Sequence, residues 1–437
     1  MNNRDTIVAP STPYGESGLA VIRLSGDDAL VNSSFLFNNK KLKNRYAHHC
    51  KLYSAGQLID DVIVTFFKAP HSFTGENIIE ISCHGSVAIV NKIIKLLISA
   101  DCRLAEPGEF TKRAFLNGKI DLLQAESIAS IISSKSEVNI KNQQRILSGE
   151  LSNILIKIRN DLINLISFIE HQLDINEEDE IDQTSKLVDL LTTIISPLLK
   201  LKNSYNRGKM FELGIKIAIT GKPNVGKSTL FNALIDSDHA ITSNLPGTTR
   251  DILTSEFVLQ GVPITLYDTA GIRESDNIIE RMGVEKALKL IKGSDINIVI
   301  FDSIDKEALN YDQKKSILIL NKCDNLNQSV IKKGIVHCSI INSVGIDIIL
   351  DMIIKKINTT KSSSNSTFIS SFRQSELINN SYNILSKTLN IIKTEMIDLE
   401  IISFELRESL SNFDVLLGKT TPDDIINNIF SKMCVGK

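Results

Sequence analysis

Residues 215–229 read IKIAITGKPNVGKST: an apolar, β-branched run, then a glycine-framed loop, then helix-forming residues. Within it, Gly221 to Ser228 is G-x-x-x-x-G-K-[ST] between a strand and a helix, the context in which this pattern builds an anion nest. Gly221 and Gly226 let the backbone fold close to phosphate oxygens. Successive N–H groups then converge at a helix N-terminus. Lys227 is placed to reach β- and γ-phosphates, and the Ser228 hydroxyl to coordinate Mg²⁺. The pattern predicts a strand over 215–220 and a helix from near Thr229.

Three later stretches turn a phosphate loop into a guanine-nucleotide site. DTAG, Asp268 to Gly271, follows the apolar run Ile264–Tyr267, which places Asp268 at the Mg²⁺ shell and the Gly271 amide at a γ-phosphate. NKCD, Asn321 to Asp324, follows the run Ile317–Leu320. The Asp324 carboxylate suits the N1–H and exocyclic amine of guanine, a donor pair that adenine lacks, so the wrong base leaves buried polar groups unpaired. GTTRD, Gly247 to Asp251, lies between loop and DTAG, and one of its threonines can complete the Mg²⁺ shell when γ-phosphate is present.

At these four motifs the segment resembles the Era-like, translation-factor-related GTPases that share GxPNxGKS. The fifth element of that group, usually Ser-Ala-Lys, is replaced by Ser339-Ile340-Ile341, where the Ser339 backbone is expected to brace the base. Only residues 303–320 separate Asp302 from Asn321, which predicts a short intervening helix. Hydrolysis also needs its own solution, because Ile272 stands where Ras-type enzymes orient water with glutamine. Arg250 and Arg273 are available, and the acidic candidates downstream are Glu274, Asp276 and Glu280. The Asn224 side-chain carbonyl is placed to ligate a monovalent cation beside the β/γ bridge, supplying positive charge in place of an arginine.

The chain has 437 residues, enough for about three domains at roughly 150 residues each. With 49 Lys+Arg against 51 Asp+Glu, whole-chain charge gives nucleic-acid binding no support, so a local basic patch would be needed. Met1 to Gly15 has no apolar core of a secretory signal, and no run of about 18 uncharged apolar residues exists. Six cysteines without a CxxC pair and seven histidines without HxxxH argue against disulfide frameworks and zinc sites, leaving reduced thiols and a cytoplasmic location as the expectation.

Strand patterns at Thr6–Ala9, Leu19–Leu24, Asp61–Phe67 and Ile78–Cys83, with a helix pattern at Val87–Ala100, give an α/β domain over 1–118. Residues 119–212 read as helical: Ile154, Ile158, Leu162, Leu165, Ile169 and Leu173 recur at helical spacing. Strands alternate with helices over 213–358, including Asn297–Phe301, which predicts βαβ units around a mainly parallel sheet. A polar linker, TTKSSSNST at 359–367, precedes renewed helical periodicity over 368–437. The architecture expected is an α/β multidomain protein: an N-terminal α/β domain, a helical domain of 119–212 plus 368–437, and a P-loop domain of 213–358 inserted into it.

The flanks carry a more specific resemblance. DTIVAPSTPYGESGLAVIRLSG (Asp5–Gly26), APHSFTGENIIEISCHG (Ala69–Gly85), EPGEFTKRAFLNGKIDLLQAES (Glu106–Ser127) and the terminal MCVGK (Met433–Lys437) are similar to the MnmE (TrmE) family of tRNA uridine-5-carboxymethylaminomethyl modification GTPases. The resemblance spans nearly the whole chain. It implies a folate-binding N-terminal domain that also dimerises, and a K⁺-dependent GTPase that modifies C5 of the tRNA wobble uridine. It implies a hetero-oligomer with an FAD-dependent partner, MnmG (GidA), and use of GTP, Mg²⁺, K⁺ and 5-formyltetrahydrofolate or a related tetrahydrofolate. No membrane is involved.

Carried over by motif, Arg23, Glu80, Lys119 and Lys437 match the folate contacts. Basic residues suit the folate tail and a carboxylate suits the pterin edge; on the residues alone, an ion pair on a strand surface is the favoured role of Arg23 and Glu80. The nucleotide contacts implied are Asn224, Val225, Gly226, Lys227, Ser228 and Thr229 in the loop, and Ser243, Asn244, Leu245, Pro246, Gly247, Thr248 and Thr249 after it. Asp268, Thr269, Ala270 and Gly271 follow, then Asn321, Lys322 and Asp324. Among them, Asn224, Ser243, Leu245 and Thr248 match the K⁺ ligands, and Ser228 and Thr249 the Mg²⁺ ligands. Glu280 matches the catalytic residue that orients water through a second water.

Cys434 reads either as a redox or covalent centre or as an ordinary tail thiol. Cys83 and His84, adjacent on a strand, make a poor metal pair, and Arg103, Lys112 and Arg113 form a modest basic cluster for which a solvated face is the commoner role and tRNA the other. An alternative function, an Era-like GTP-switched RNA or ribosome-assembly factor, would need an RNA-binding domain after the P-loop unit. The sequence there has no GXXG loop or basic tail.

Overall fold

The structure, a computed structural model, describes residues 5–174, 180–236, 241–242, 253–268, 293–303, 315–324, 330–332, 334–357, 367–393 and 398–436. In chain order its elements are β1 (Thr6–Pro10), β2 (Ser17–Ser25), α1 (Ala29–Ser34), β3 (Ala47–Ser54), β4 (Gln57–Phe67), β5 (Ile78–Gly85), α2 (Val87–Ile98), β6 (Cys102–Leu104) and α3 (Glu109–Leu116). The helices α4 (Leu122–Ser133), α5 (Glu137–Leu147), α6 (Glu150–Asp174) and α7 (Glu180–Leu213) follow. Next come β7 (Ile215–Thr220), α8 (Lys227–Ile235), β8 (Ile241–Thr242), β9 (Leu253–Leu259), β10 (Val262–Asp268), β11 (Ile296–Phe301), β12 (Ser316–Leu320), β13 (Val330–Lys332), β14 (Ile335–His337) and α9 (Ile346–Ile357). The chain closes with α10 (Phe372–Lys393), α11 (Leu399–Leu416) and α12 (Asp423–Ser431).

By compactness the chain divides into two units: Met1–Ala129 with Arg145–Leu190 and Asn390–Lys437, and Ser130–Gln144 with Leu191–Leu389. The first unit holds a six-stranded sheet in the order β3-β4-β5-β2-β1-β6, antiparallel except for β1 beside β6. Alternation along each strand sorts its faces. Ala20, Ile22 and Leu24 of β2, Val62 and Val64 of β4, and Ile79, Ile81 and Cys83 of β5 share one core with Val90, Ile93, Ile94 and Leu97 of α2. Each such aliphatic side chain contributes about 1.5–3 kcal/mol of burial.

In the same unit α6 packs on α11, and Arg159 Nε binds Asp414 Oδ1 at 2.6 Å. The buried stripe of α6 is Leu151, Leu155, Ile158, Leu162, Leu165 and Ile169. The sequence pattern placed its ends at Ile154 and Leu173, but Ile154 is only half-buried and Leu173 is exposed. Leu151, Leu155 and Ile158 keep the helical spacing, and the neighbouring isoleucine at 154 masked them. Cys83 lies in the core while His84 points outward to Asp60, the opposite-face arrangement expected of strand neighbours.

The second unit is built on an eight-stranded sheet, β13-β14-β12-β11-β7-β10-β9-β8. From β14 to β10 all pairings are parallel; β13, β9 and β8 join antiparallel at the edges. Burial on both faces makes the central strands nearly continuous apolar runs: Ile217, Ala218 and Ile219 of β7 are all fully buried. α8 and α9 supply Leu230, Leu234, Ile349 and Ile353 to the same core. The fold class read from the sequence is therefore the one found. Among the described residues no helix is long and apolar enough to cross a membrane.

Candidate functional site

β7 ends at Thr220 and the loop that follows runs close beneath its neighbours. A Cβ on Gly221 would sit 2.2 Å from Ile300 O of β11. Gly226, at φ +104°, caps α8, and a Cβ there would meet Asn321 Nδ2 at 2.4 Å, so both conformation and space require glycine. Asn224 also takes a left-handed conformation, φ +62°. α8 starts at Lys227, two residues before the expected Thr229, because the left-handed Gly226 already serves as its cap.

Lys227 is nearly buried and curls over the loop, its ammonium donating to Gly221 O at 2.9 Å and Lys222 O at 2.8 Å. Burial lowers its pKa below the ordinary lysine value, and the charge of Asp268 opposes that shift. A buried cation so placed is suited to phosphate oxygens.

At the other flank, Ser228 Oγ donates to Asp268 Oδ2 at 2.8 Å. Asp268 is the last residue of β10, 1% exposed, and pairs in register with Ile219 of β7. A hydroxyl and a carboxylate oxygen side by side at the end of β10 are hard oxygen donors, a set whose chemistry fits Mg²⁺ and that would hold it there.

The base end is organised by Asn321, 5% exposed. Its Nδ2 donates to Val225 O at 2.8 Å and its Oδ1 accepts from the Ile340 amide at 3.1 Å, tying the phosphate loop to the segment after β14. Ser339 Oγ donates to Asp324 Oδ1 at 2.5 Å and accepts from Asn342 Nδ2 at 3.0 Å. Ser339, expected to brace the base through its backbone, contributes to this end by its side chain as well. Its backbone pairs with Val344, its hydroxyl fixes Asp324, and the Ile340 amide holds Asn321. Lys322, at φ +63°, pairs with Asp302 Oδ2 at 3.1 Å; this hydrogen bond holds the Asp302 carboxyl below its ordinary value. Asp302 was not singled out as a site residue, and no motif marks it; only the fold brings the end of β11 beside Lys322. Thr229 follows Ser228 in the first turn of α8.

Ser243, Asn244, Leu245, Pro246, Gly247, Thr248, Thr249, Thr269, Ala270, Gly271 and Glu280 lie outside the described residues, as do Arg250, Ile272, Arg273, Glu274, Asp276 and most of the segment 303–320.

In the first unit, Arg23 and Glu80 stand opposite each other on β2 and β5 and form an ion pair at 2.8 Å. Arg23 also reaches Gly436 O at 3.4 Å and lies 5.8 Å from the Phe110 ring centre. The C-terminal motif is therefore seated at these strands. Ser11 Oγ donates to Gly436 O at 3.2 Å, the Gly108 amide donates to Cys434 O at 3.3 Å, and a Cβ on Gly436 (φ +90°) would meet Pro10 O at 2.1 Å. Nothing in the spacing of MCVGK foretold that contact, which joins residues 425 positions apart. Lys119 makes its hydrogen bond elsewhere, to Pro70 O at 3.0 Å. Lys437 lies outside the described residues.

The basic cluster is tied into an ion-pair network, with Arg103 exposed and Arg113 buried. Arg113, 6% exposed, binds Asp5, Glu76 and Glu109, and Arg103 binds Asp5 and Glu109. Lys112 donates to Asn427 Oδ1 at 2.7 Å. Glu109 is a near neighbour in sequence, but Asp5 and Glu76 come from distant stretches of chain, so the sequence did not show the network they complete.

Comparison with known proteins matches residues 6–119 to the family described as GTP-binding protein TrmE N-terminus, and residues 122–434 to the MnmE helical domain. The chain is 37% identical over 449 residues to the tRNA modification GTPase MnmE of Aquifex aeolicus, covering 99% of this chain and 100% of that one. It is 38% identical over 461 residues to the protein of the same name from Carboxydothermus hydrogenoformans, covering 99% of each. With that of Fervidobacterium nodosum it shares 39% over 455 residues, covering 100% of this chain and 98% of the other.

Proposed function

This chain belongs to the MnmE family of tRNA modification GTPases, and from that premise we propose that it is a GTP hydrolase acting in tRNA modification. The observation that carries the hydrolase half is the hydrogen bond of Ser228 to Asp268, beside the buried Lys227. In this reading Lys227 neutralises the β- and γ-phosphates, and Ser228 and Thr249 would ligate Mg²⁺ with Asp268 at its shell; when bound, the ion would supply positive charge to the leaving oxygens. Asn321 keeps loop and base segment in one piece, and Asp324, held by Ser339, selects guanine. Glu280 orients the attacking water through a second water, and Asn224, with Ser243, Leu245 and Thr248, binds K⁺ in place of an arginine finger.

The finer reading is that the chain works as a homodimer in a hetero-oligomer with the FAD-dependent protein MnmG, in the cytoplasm, on C5 of the wobble uridine. The one-carbon unit comes from 5-formyltetrahydrofolate or a related tetrahydrofolate held by Arg23, Glu80, Lys119 and Lys437. An Arg–Glu pair with the tail glycine at its edge supports that assignment, since it offers both donors and acceptors to a pterin or a carboxylate. The domains assigned are 1–118, 119–212 plus 368–437, and 213–358.

The test is mass spectrometry of tRNA nucleosides from cells lacking this chain. Loss of the carboxymethylaminomethyl group at the wobble uridine is expected, and unchanged uridines would remove the tRNA role. In vitro, GTP turnover in K⁺ is expected to exceed that in Na⁺; equal rates would remove the Asn224 cation reading.

A further inference from the structure

β9 and β10 form an antiparallel ribbon registered from Leu253 opposite Asp268 to Leu259 opposite Val262. One end of the ribbon is the Mg²⁺ end of the proposed site: Asp268 binds Ser228, and β9 begins two positions after Asp251 of GTTRD. The other end is the turn at Gln260 and Gly261, φ +49° and +81°. Six steps at about 3.4 Å place it roughly 20 Å away.

That far end is latched by residues from outside the sheet. At that end Ser136 Oγ donates to Gly261 O, while Lys135 pairs with Glu256 midway along β9, opposite Thr265 of β10. A Cβ on Gly261 would stand 2.9 Å from Val138 Cγ2, so the close approach of α5 depends on that glycine. Pro263 abuts the point where α7 passes into β7, since a Cβ on Gly214 would meet Pro263 O at 2.6 Å. α5 also holds the way out: Asn142 exchanges two hydrogen bonds, each 2.9 Å, with the Phe368 backbone. Exit from the P-loop unit and the far end of the ribbon are thus both held by the segment Ser136–Asn142, and the entry at Gly214 lies against Pro263 of the same ribbon.

We propose that Lys135, Ser136 and Val138 are positioning residues of the GTP-hydrolysing site, acting through the β9–β10 ribbon. This rests on the functional reading above. The ribbon is hydrogen-bonded along its length, with β10 paired to β7 on its other side, so it moves as a unit. A displacement at Asp268 reaches Gly261 and hence α5. By reciprocity of linkage, the latch at Gly261 sets where Asp268 stands. The Lys135–Glu256 pair is 44% and 41% exposed. Such a pair is weak and screened by salt, which suits a contact made and broken without unfolding.

The test uses the full chain in K⁺ and Mg²⁺, with Lys135→Glu, Glu256→Lys and the double exchange. GTP turnover, affinity for a fluorescent GDP, thermal midpoint, and amide exchange over residues 134–144 with GDP and with a non-hydrolysable GTP analogue are measured. Each single reversal is expected to lower kcat at least about fivefold, the lower end of site-to-site coupling, with GDP affinity and thermal midpoint unchanged. The double exchange restores the rate. In the parent, exchange over 134–144 differs between the two nucleotides, and the single variants lose that difference. Singles that turn over at the parental rate, a double as slow as the singles, or identical exchange in both nucleotide states would overturn the proposal. A parent that hydrolyses GTP while the reversals are silent removes this link alone. A parent that binds no guanine nucleotide removes the functional reading and the link together.

Discussion

Asn321 holds Val225 O through its amide nitrogen at 2.8 Å and, through its amide oxygen, the backbone of Ile340 at 3.1 Å, so one buried side chain sets the distance between phosphate loop and base segment. An Asn321→Ala variant strands two buried backbone groups, at about 1–3 kcal/mol each. Affinity for both GDP and GTP is expected to fall at least about tenfold, read by titration with a fluorescent nucleotide. Unchanged affinity would show that the tie is not part of the pocket.

Base selection is expected to reside in Asp324. Asp324→Asn replaces an acceptor of two N–H groups with an amide that also donates, so guanine loses and xanthine, which presents an oxygen at that edge, gains. Competition of xanthosine and guanosine triphosphates for the variant reads the reversal. Ser339→Ala removes only the hydroxyl that steadies Asp324, and about 1 kcal/mol of GDP binding is expected to go with it.

Much of this pocket was legible because a nucleotide loop must put glycine, lysine and a hydroxyl at fixed spacing on a strand-to-helix turn. The strands β7, β10, β11 and β12 were legible for the same reason, being continuous apolar runs. β3 was not: its inward residues are His48, Cys50 and Leu52, and His48 is tolerated there because its ring bonds Tyr46 O and the Lys43 amide. β9 escaped notice because Thr254, Ser255 and Glu256 break its apolar run, although Phe257 and Leu259 are buried. The role of Ile340 was illegible because a backbone amide does the work, and any residue but proline supplies one.

The Mg²⁺ end gives a sharper prediction. Ser228→Ala removes the hydroxyl 2.8 Å from Asp268 and with it one oxygen ligand. GTP turnover is expected to fall about 100-fold or more, the scale of losing one preorganised electrostatic partner, while GDP without Mg²⁺ still binds. A variant that keeps its rate at limiting Mg²⁺ would take Ser228 out of the metal shell.

Seating of the tail is separable from the nucleotide site. Gly436→Ala puts a methyl 2.1 Å from Pro10 O in a conformation, φ +90°, that alanine resists. The tail carrying Cys434 and Lys437 is then displaced from Arg23. Binding of 5-formyltetrahydrofolate, followed by calorimetry, is expected to weaken at least about tenfold, the effect of losing roughly one charge-assisted contact. GTP turnover is expected to stay at the parental rate. Full folate affinity in the variant would show that the tail does not contribute.

Acid sensitivity should trace to the Arg103 and Arg113 network. Burial opposes ionisation of Glu109, but hydrogen bonds from Arg103, the Glu106 amide and Arg113 outweigh it and hold the carboxyl below its ordinary value. Asp5 is likewise pulled down against burial by Arg103 and Arg113. A carboxyl whose folded pKa lies below its unfolded one stabilises the fold above the unfolded pKa, about 4, and loses that contribution as pH falls through the folded pKa. Glu109→Gln is therefore expected to lower the denaturant midpoint at pH 7; the gap to the parent should begin to narrow as pH falls through about 4 and close only below the folded pKa, where both carry a neutral group. Arg113→Met is the harsher change, because it leaves the largely buried Glu76 without the cation it binds and Glu109 with Arg103 alone; a loss of about 3 kcal/mol is expected at pH 7. A gap between parent and Glu109→Gln that stays constant from pH 7 to pH 3 would mean that the carboxylate acts by shape and not by charge.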